Sequence, residues 1–126
     1  MPTSLSTCTT ITTYDGATLA VQLRGAPTAE PLLLIAGQGL SGAAWDPAAD
    51  GFAARYRVIT YDHRGTGGSE VAFPGEPPQW STRQAARDAI AVLDRLGVAR
   101  AHVYGHSMGG RIAQWLAAEA PHRVAA

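Results

Sequence analysis

The chain has 126 residues, 46% of them hydrophobic, and its ten Lys plus Arg are balanced by ten Asp plus Glu. That length allows one domain at most, and a net charge of zero supplies neither a basic field for nucleic acid or anionic lipid nor an acidic tail. The lone cysteine, Cys8, has no disulfide or zinc partner and reads as an inert small residue.

The N-terminus lacks the charged start and apolar run of a secretory signal, and apolar runs such as residues 32–36 fall far short of the roughly 20 residues that span a bilayer. A cytoplasmic protein without a membrane partner is expected. Residues 9–14 and 18–24 are β-branched or alternating runs around Asp15-Gly16, which predicts an antiparallel hairpin closed by a type I′ turn. After a Pro/Gly-containing connection, residues 32–36 are continuously apolar, as a central strand covered on both faces must be. A parallel sheet is expected from this strand onward.

Gly37-Gln38-Gly39-Leu40-Ser41-Gly42 follows the strand and spells the Gly-x-Gly-x-x-Gly of dinucleotide sites, with Asp62 at the end of the next strand. In a chain this rich in glycine the hexapeptide arises by chance with probability about 0.16, and Pro47 argues against a long helix presenting its N-terminus to a pyrophosphate. Residues 56–61 form the next strand, and Asp62 and Arg64 after it have two readings. Asp62 holds a ribose hydroxyl, or both side chains brace their own loop.

Residues 71–80, with four Pro or Gly, predict an irregular surface loop in which Phe73 and Trp80 serve as apolar anchors or touch substrate. Ser81-Thr82-Arg83-Gln84 resembles a capping box for a helix to about Leu96, with Ala85, Ile90, Val92, Leu93 and Leu96 on its buried face and Gly97 ending it. Residues 101–104 read as a short buried strand holding His102 as a satisfied core histidine. A second helix over residues 111–120 places Ile112, Trp115 and Leu116 on one face and stops at Pro121.

Between that strand and helix lies Tyr104-Gly105-His106-Ser107-Met108-Gly109-Gly110. It matches the Gly-x-Ser-x-Gly elbow, a tight strand-to-helix turn that lifts a serine hydroxyl clear of a sheet. Crowding at such a turn requires small residues at Gly105 and Gly109, and the Met108 amide at the helix start can donate to an oxyanion forming on a carbonyl attacked by Ser107. By chance this pentapeptide arises with probability about 0.07, so it outweighs the dinucleotide pattern.

The glycine turn after the first parallel strand, Asp62-His63-Arg64-Gly65-Thr66-Gly67-Gly68-Ser69 after the second and the serine elbow after the third together resemble the α/β-hydrolase superfamily. The closest similarity is to small serine esterases, lactonases and carbon-carbon hydrolases. The resemblance implies an α/β-hydrolase fold, Ser107 as nucleophile, Met108 and Gln38 as oxyanion-hole donors, a small-molecule substrate, and neither metal nor organic cofactor. Where the family usually reads His-Gly-x-Gly, this chain has Ala36-Gly37-Gln38-Gly39, without the histidine.

The family's acid and histidine come later in chain order, so residues 1–126 are expected to be the N-terminal part of the domain, inactive alone, with His122 to Ala126 approaching a further parallel strand. His63, His102, His106 and His122 do not occupy the family's catalytic position, and His106 is expected to be structural. Two alternatives to a serine hydrolase of a small ester, lactone or related carbonyl compound follow from the residues. One is a dinucleotide binder using Gly37, Gly39, Gly42 and Asp62; the other is a noncatalytic module on the hydrolase scaffold.

Overall fold

The computed structural model describes residues 6–37, 40–69 and 81–126. The described elements are β1 (Ser6–Thr12), β2 (Thr18–Arg24), β3 (Glu30–Ile35), a 3-10 turn (Gly42–Trp45), α1 (Asp46–Phe52), β4 (Tyr56–Tyr61), α2 (Thr82–Arg95), β5 (His102–Gly105), α3 (Met108–Glu119) and a second 3-10 turn (Pro121–Arg123). The expected loop over residues 71–80, with Phe73 and Trp80, lies outside the described residues. Among the described residues no helix is long and apolar enough to cross a membrane.

Five strands form one mixed sheet in the order β1-β2-β4-β3-β5. β1 pairs antiparallel with β2, and β2 with β4, while β3 runs parallel to both β4 and β5. β3 sits inside this sheet, and its continuous apolar sequence follows from its two covered faces. Leu33 and Ile35 join Ile59, Tyr61, Leu93, Ile112 and Leu116 on the α2 and α3 side. Leu32 and Leu34 pack with Val58, Ala49 and Ala53 on the α1 side. Each fully buried Leu or Ile contributes about 2 kcal/mol through loss of its contact with water.

The hairpin is present, but its turn differs from the expected type I′. Only Gly16, at φ 94°, is left-handed there, whereas type I′ needs positive φ at both central residues. The Thr13 N–H donates to Ala17 O at 2.8 Å and the Gly16 N–H to Thr13 O at 3.1 Å, so three residues rather than two make the loop. The extra residue sets Asp15 where Arg64 reaches it.

α2 begins where the capping pattern places it, with Ser81 Oγ accepting from the Gln84 N–H at 3.0 Å. It ends in a Schellman turn: Gly97 has φ 70°, its N–H reaches Asp94 O, and the Val98 N–H reaches Leu93 O. On α3, Ile112 and Leu116 are fully buried as expected, but Trp115 is 39% exposed and lies against the Arg83 guanidinium. That cation also pairs with Glu119, so Trp115 covers the α2/α3 seam from outside rather than entering the core.

β5 is less buried than its sequence suggests. Tyr104 is 52% exposed, and His102 faces Glu30 at 3.1 Å instead of a core partner. The register sets both beside Leu32 and Leu34, on the sheet face that α1 covers only in part. Ala101 forms a parallel bridge with Val124, and the Val103 N–H donates to Ala126 O at 3.0 Å, so the final residues do begin a strand-like pairing.

An ion cluster joins hairpin, β4 loop and α2. Arg64 donates to Asp88 through Nε and Nη2, at 2.8 and 2.6 Å, and to Asp15 through Nη1 and Nη2, at 2.9 and 3.0 Å. The Arg64 hydrogen bonds, helped by Thr13, hold the Asp15 carboxyl down at about 2 from its ordinary 3.8. A depressed folded-state pKa gives stability that is complete above the ordinary value and lost as pH falls toward the depressed one. In the full-length protein, the stability difference between wild type and Asp15→Asn, measured by urea unfolding, should be constant above about pH 5 and shrink from about pH 4 toward 2. A difference unchanged at the acid end would contradict this assignment.

Candidate active site

The turn from β5 into α3 is the most constrained backbone of the described chain. Ser107 has φ 58° and ψ −119°, and among the described residues no other non-glycine has positive φ. A β-substituted residue held there costs about 1–3 kcal/mol, so the surrounding structure must impose the conformation. Its glycine neighbours show how. A Cβ at Gly105 would overlap the carbonyl of Gly109, and a Cβ at Gly109 would overlap that of Ile35.

Hydrogen bonds complete the turn. The His106 N–H donates to Ile35 O at 3.1 Å, Gly109 N–H to His106 O at 2.9 Å, and Gly110 N–H to Ser107 O at 2.9 Å. Met108, the first residue of α3, keeps its N–H without an acceptor among the described residues. Ser107 is exposed, beside a helix N-terminus whose partial positive charge favours an anion. This is the arrangement an oxyanion needs on one side.

The end of β3 closes the other side. A Cβ at Gly37 would sit 3.4 Å from both His106 O and Ser107 Cβ, so the β3 turn lies within van der Waals reach of the elbow. Gln38, expected to supply the second donor, lies outside the described residues, as does Gly39. Ser107, Met108 and Gly37 are thus brought together.

The loop after β4 supports that turn. Asp62 accepts from the Gly42 N–H at 2.6 Å and the Gly68 N–H at 2.9 Å, one bond to each carboxylate oxygen. Ser69 Oγ donates to Asp62 O and accepts from the Ala20 N–H, tying the loop to β2. Gly65 and Gly67 have φ 73° and 55°. Asp62 therefore braces backbone, the second of its two readings, and the short α1 with Pro47 in its first turn provides no long dinucleotide helix. Arg64 reaches well beyond its own loop, and its partner Asp88 was detectable as a carboxylate amid alanines on the buried face of α2.

The histidines are dispersed. His63 is buried on Ala36 O at 2.9 Å, His102 pairs with Glu30, and His106 and His122 are exposed. The Ser107 hydroxyl has no hydrogen-bonded base among the described residues. Those residues also contain no cluster of three or more His, Cys, Asp or Glu able to hold a metal ion.

A family model for the alpha/beta hydrolase fold matches residues 30–126, and the chain belongs to that family. It is similar to the provisionally named carbamate hydrolase RutD of Caulobacter vibrioides, 44% identical over 118 residues that cover 92% of this chain and 42% of the relative. Rhodomycin D methylesterase DnrP of Streptomyces peucetius is 44% identical, covering 92% of this chain and 39% of that protein. The crystal structure of a hydrolase from Pseudomonas aeruginosa PA01 superposes with a TM-score of 0.85 at 37% identity, covering 93% of this chain and 43% of that one. The chain therefore spans about two fifths of the length of the relatives it matches.

The elbow's sterics separate two substitutions. In the full-length protein, Gly105→Ala should cost about 3 kcal/mol or more in urea unfolding, or prevent folding, because its clash is with backbone. Ser107→Ala removes a hydroxyl and should stay within about 0.5 kcal/mol of wild type. Equal stability of the two variants would contradict the elbow geometry.

Proposed function

We propose that the full-length protein is a serine hydrolase of a small ester, lactone or related carbonyl compound. The observation that carries this reading is Ser107 at φ 58° with its hydroxyl exposed beside the open Met108 N–H. RutD and DnrP, together with the similar 3-oxoadipate enol-lactonase 1 of Acinetobacter baylyi, are named for a carbamate, a methyl ester and an enol-lactone. All three are acyl compounds, which supports a carbonyl carbon as the point of attack.

In this reading Ser107 Oγ adds to the carbonyl carbon while a histidine C-terminal to residue 126 takes its proton, oriented by a carboxylate that is also C-terminal. The Met108 and Gln38 amides donate to the resulting oxyanion. Collapse breaks the bond to the leaving group, which takes the proton from the histidine, and water then hydrolyses the acyl-Ser107 ester by the same steps in reverse. Residues 1–126 are the nucleophile-bearing N-terminal part of this domain and are inactive alone. Losing one oxyanion donor typically costs about 10²–10³ in kcat, so the turn at Gly37 matters to the rate, though far less than the nucleophile, whose loss costs about 10⁶.

Intact-mass analysis after fluorophosphonate treatment tests the proposal. The full-length protein should gain one phosphonyl adduct, Ser107→Ala none, and residues 1–126 none. An adduct that survives Ser107→Ala would overturn the nucleophile, and labelling of the 126-residue chain would place a sufficient base within it.

A further inference from the structure

The turn that leaves β3 beside Ser107 begins Ala36-Gly37 and carries another glycine at position 39, so its own sequence does little to fix its peptide planes. Within the turn the Leu40 N–H donates to Gly37 O at 3.3 Å, and supports from outside it come from the loop after β4. His63 is 3% exposed, and its Nε2 lies 2.9 Å from Ala36 O. A carbonyl only accepts, so Nε2 carries the proton and His63 donates. The preceding residue, Asp62, accepts from the Gly42 N–H at the far end of the same turn. Consecutive residues of one loop thus hold both ends of the segment that approaches the elbow.

The imidazole is itself held. Tyr61 lies edge-on to it, with ring centroids 5.5 Å apart, and the next residue, Arg64, is bound to Asp88 and Asp15. Position 36, where the resembling family usually has a histidine, is alanine here and offers no side-chain donor.

We infer that His63 is a positioning residue for the oxyanion turn: its Nε2–H bond to Ala36 O fixes the Ala36-Gly37 peptide, whose Gly37 lies against Ser107. This inference rests on the serine-hydrolase reading above. Buried as it is, His63 is assigned no part in the chemistry itself and acts through the turn. It restrains the Ala36-Gly37 end of the turn so that a donor need not be reoriented during reaction, which is where electrostatic stabilisation of a transition state is gained or lost.

The test uses the full-length protein with p-nitrophenyl acetate. His63→Met, which fills the site without a donor, should lower kcat about tenfold or more with KM within about twofold, while His63→Gln, which keeps an N–H at similar reach, should recover to within about threefold of wild type. Both variants should melt together. Wild-type kcat in His63→Met, or equal losses in His63→Met and His63→Gln, would overturn the inference. A readout free of any variant is the nitrogen spectrum of histidine-labelled wild type: the Nε2–H tautomer of His63 is expected, and the Nδ1–H tautomer overturns the inference. Ser107→Ala, assayed in parallel, separates the two proposals. If it keeps full activity the serine reading fails and takes this inference with it; if it is inactive while His63→Met is unimpaired, only the positioning role fails.

Discussion

At the end of β3, backbone meets backbone at close range, and the shape of the elbow follows from it. The carbonyl of Ile35 receives the His106 N–H and also lies where a Cβ on Gly109 would have to be. Strand, turn and helix therefore meet with no side chain between them, and Ser107 is forced into a left-handed conformation with its side chain outward. The strain is local, while the burial that sustains it is spread over Leu33, Ile35, Ile112 and Leu116. Removing one hydroxyl leaves this geometry intact, whereas adding one methyl group at Gly105 does not.

Around that crossing the loop after β4 acts as a bracket. Asp62 spends both carboxylate oxygens on backbone amides, Ser69 ties the loop to β2, and His63 reaches Ala36. Arg64 is buried and makes four hydrogen bonds to two aspartates, one on the hairpin and one on α2. Such a cluster contributes little net stability for its desolvation, but breaking one partner strands a buried charge, so it specifies one placement of the loop. The loop's placement is in turn what holds the β3 turn against the elbow.

Much of this was legible in the sequence because the signals were local. The apolar run of β3, the Ser81 cap, the Gly97 stop and the glycine spacing around Ser107 each report a backbone requirement within a few residues. The less legible features depend on partners far along the chain. Trp115 has helical spacing for the core yet stacks on Arg83, and His102 sits in a strand but faces Glu30 across the sheet. The third residue of the hairpin loop is not legible because Asp15-Gly16 satisfies the shorter turn equally well in composition. Arg64 read as a brace for its own loop, since nothing near it in sequence announces Asp88 or Asp15.

In the proposed reading the elbow and the β3 turn form one oxyanion site around Ser107. A crystal structure of the full-length protein after reaction with a fluorophosphonate should show phosphorus bonded to Ser107 Oγ, with one phosphoryl oxygen accepting hydrogen bonds from the Met108 and Gln38 amides. Phosphorus on another residue, or a Ser107 adduct whose oxygen meets neither amide, would contradict it.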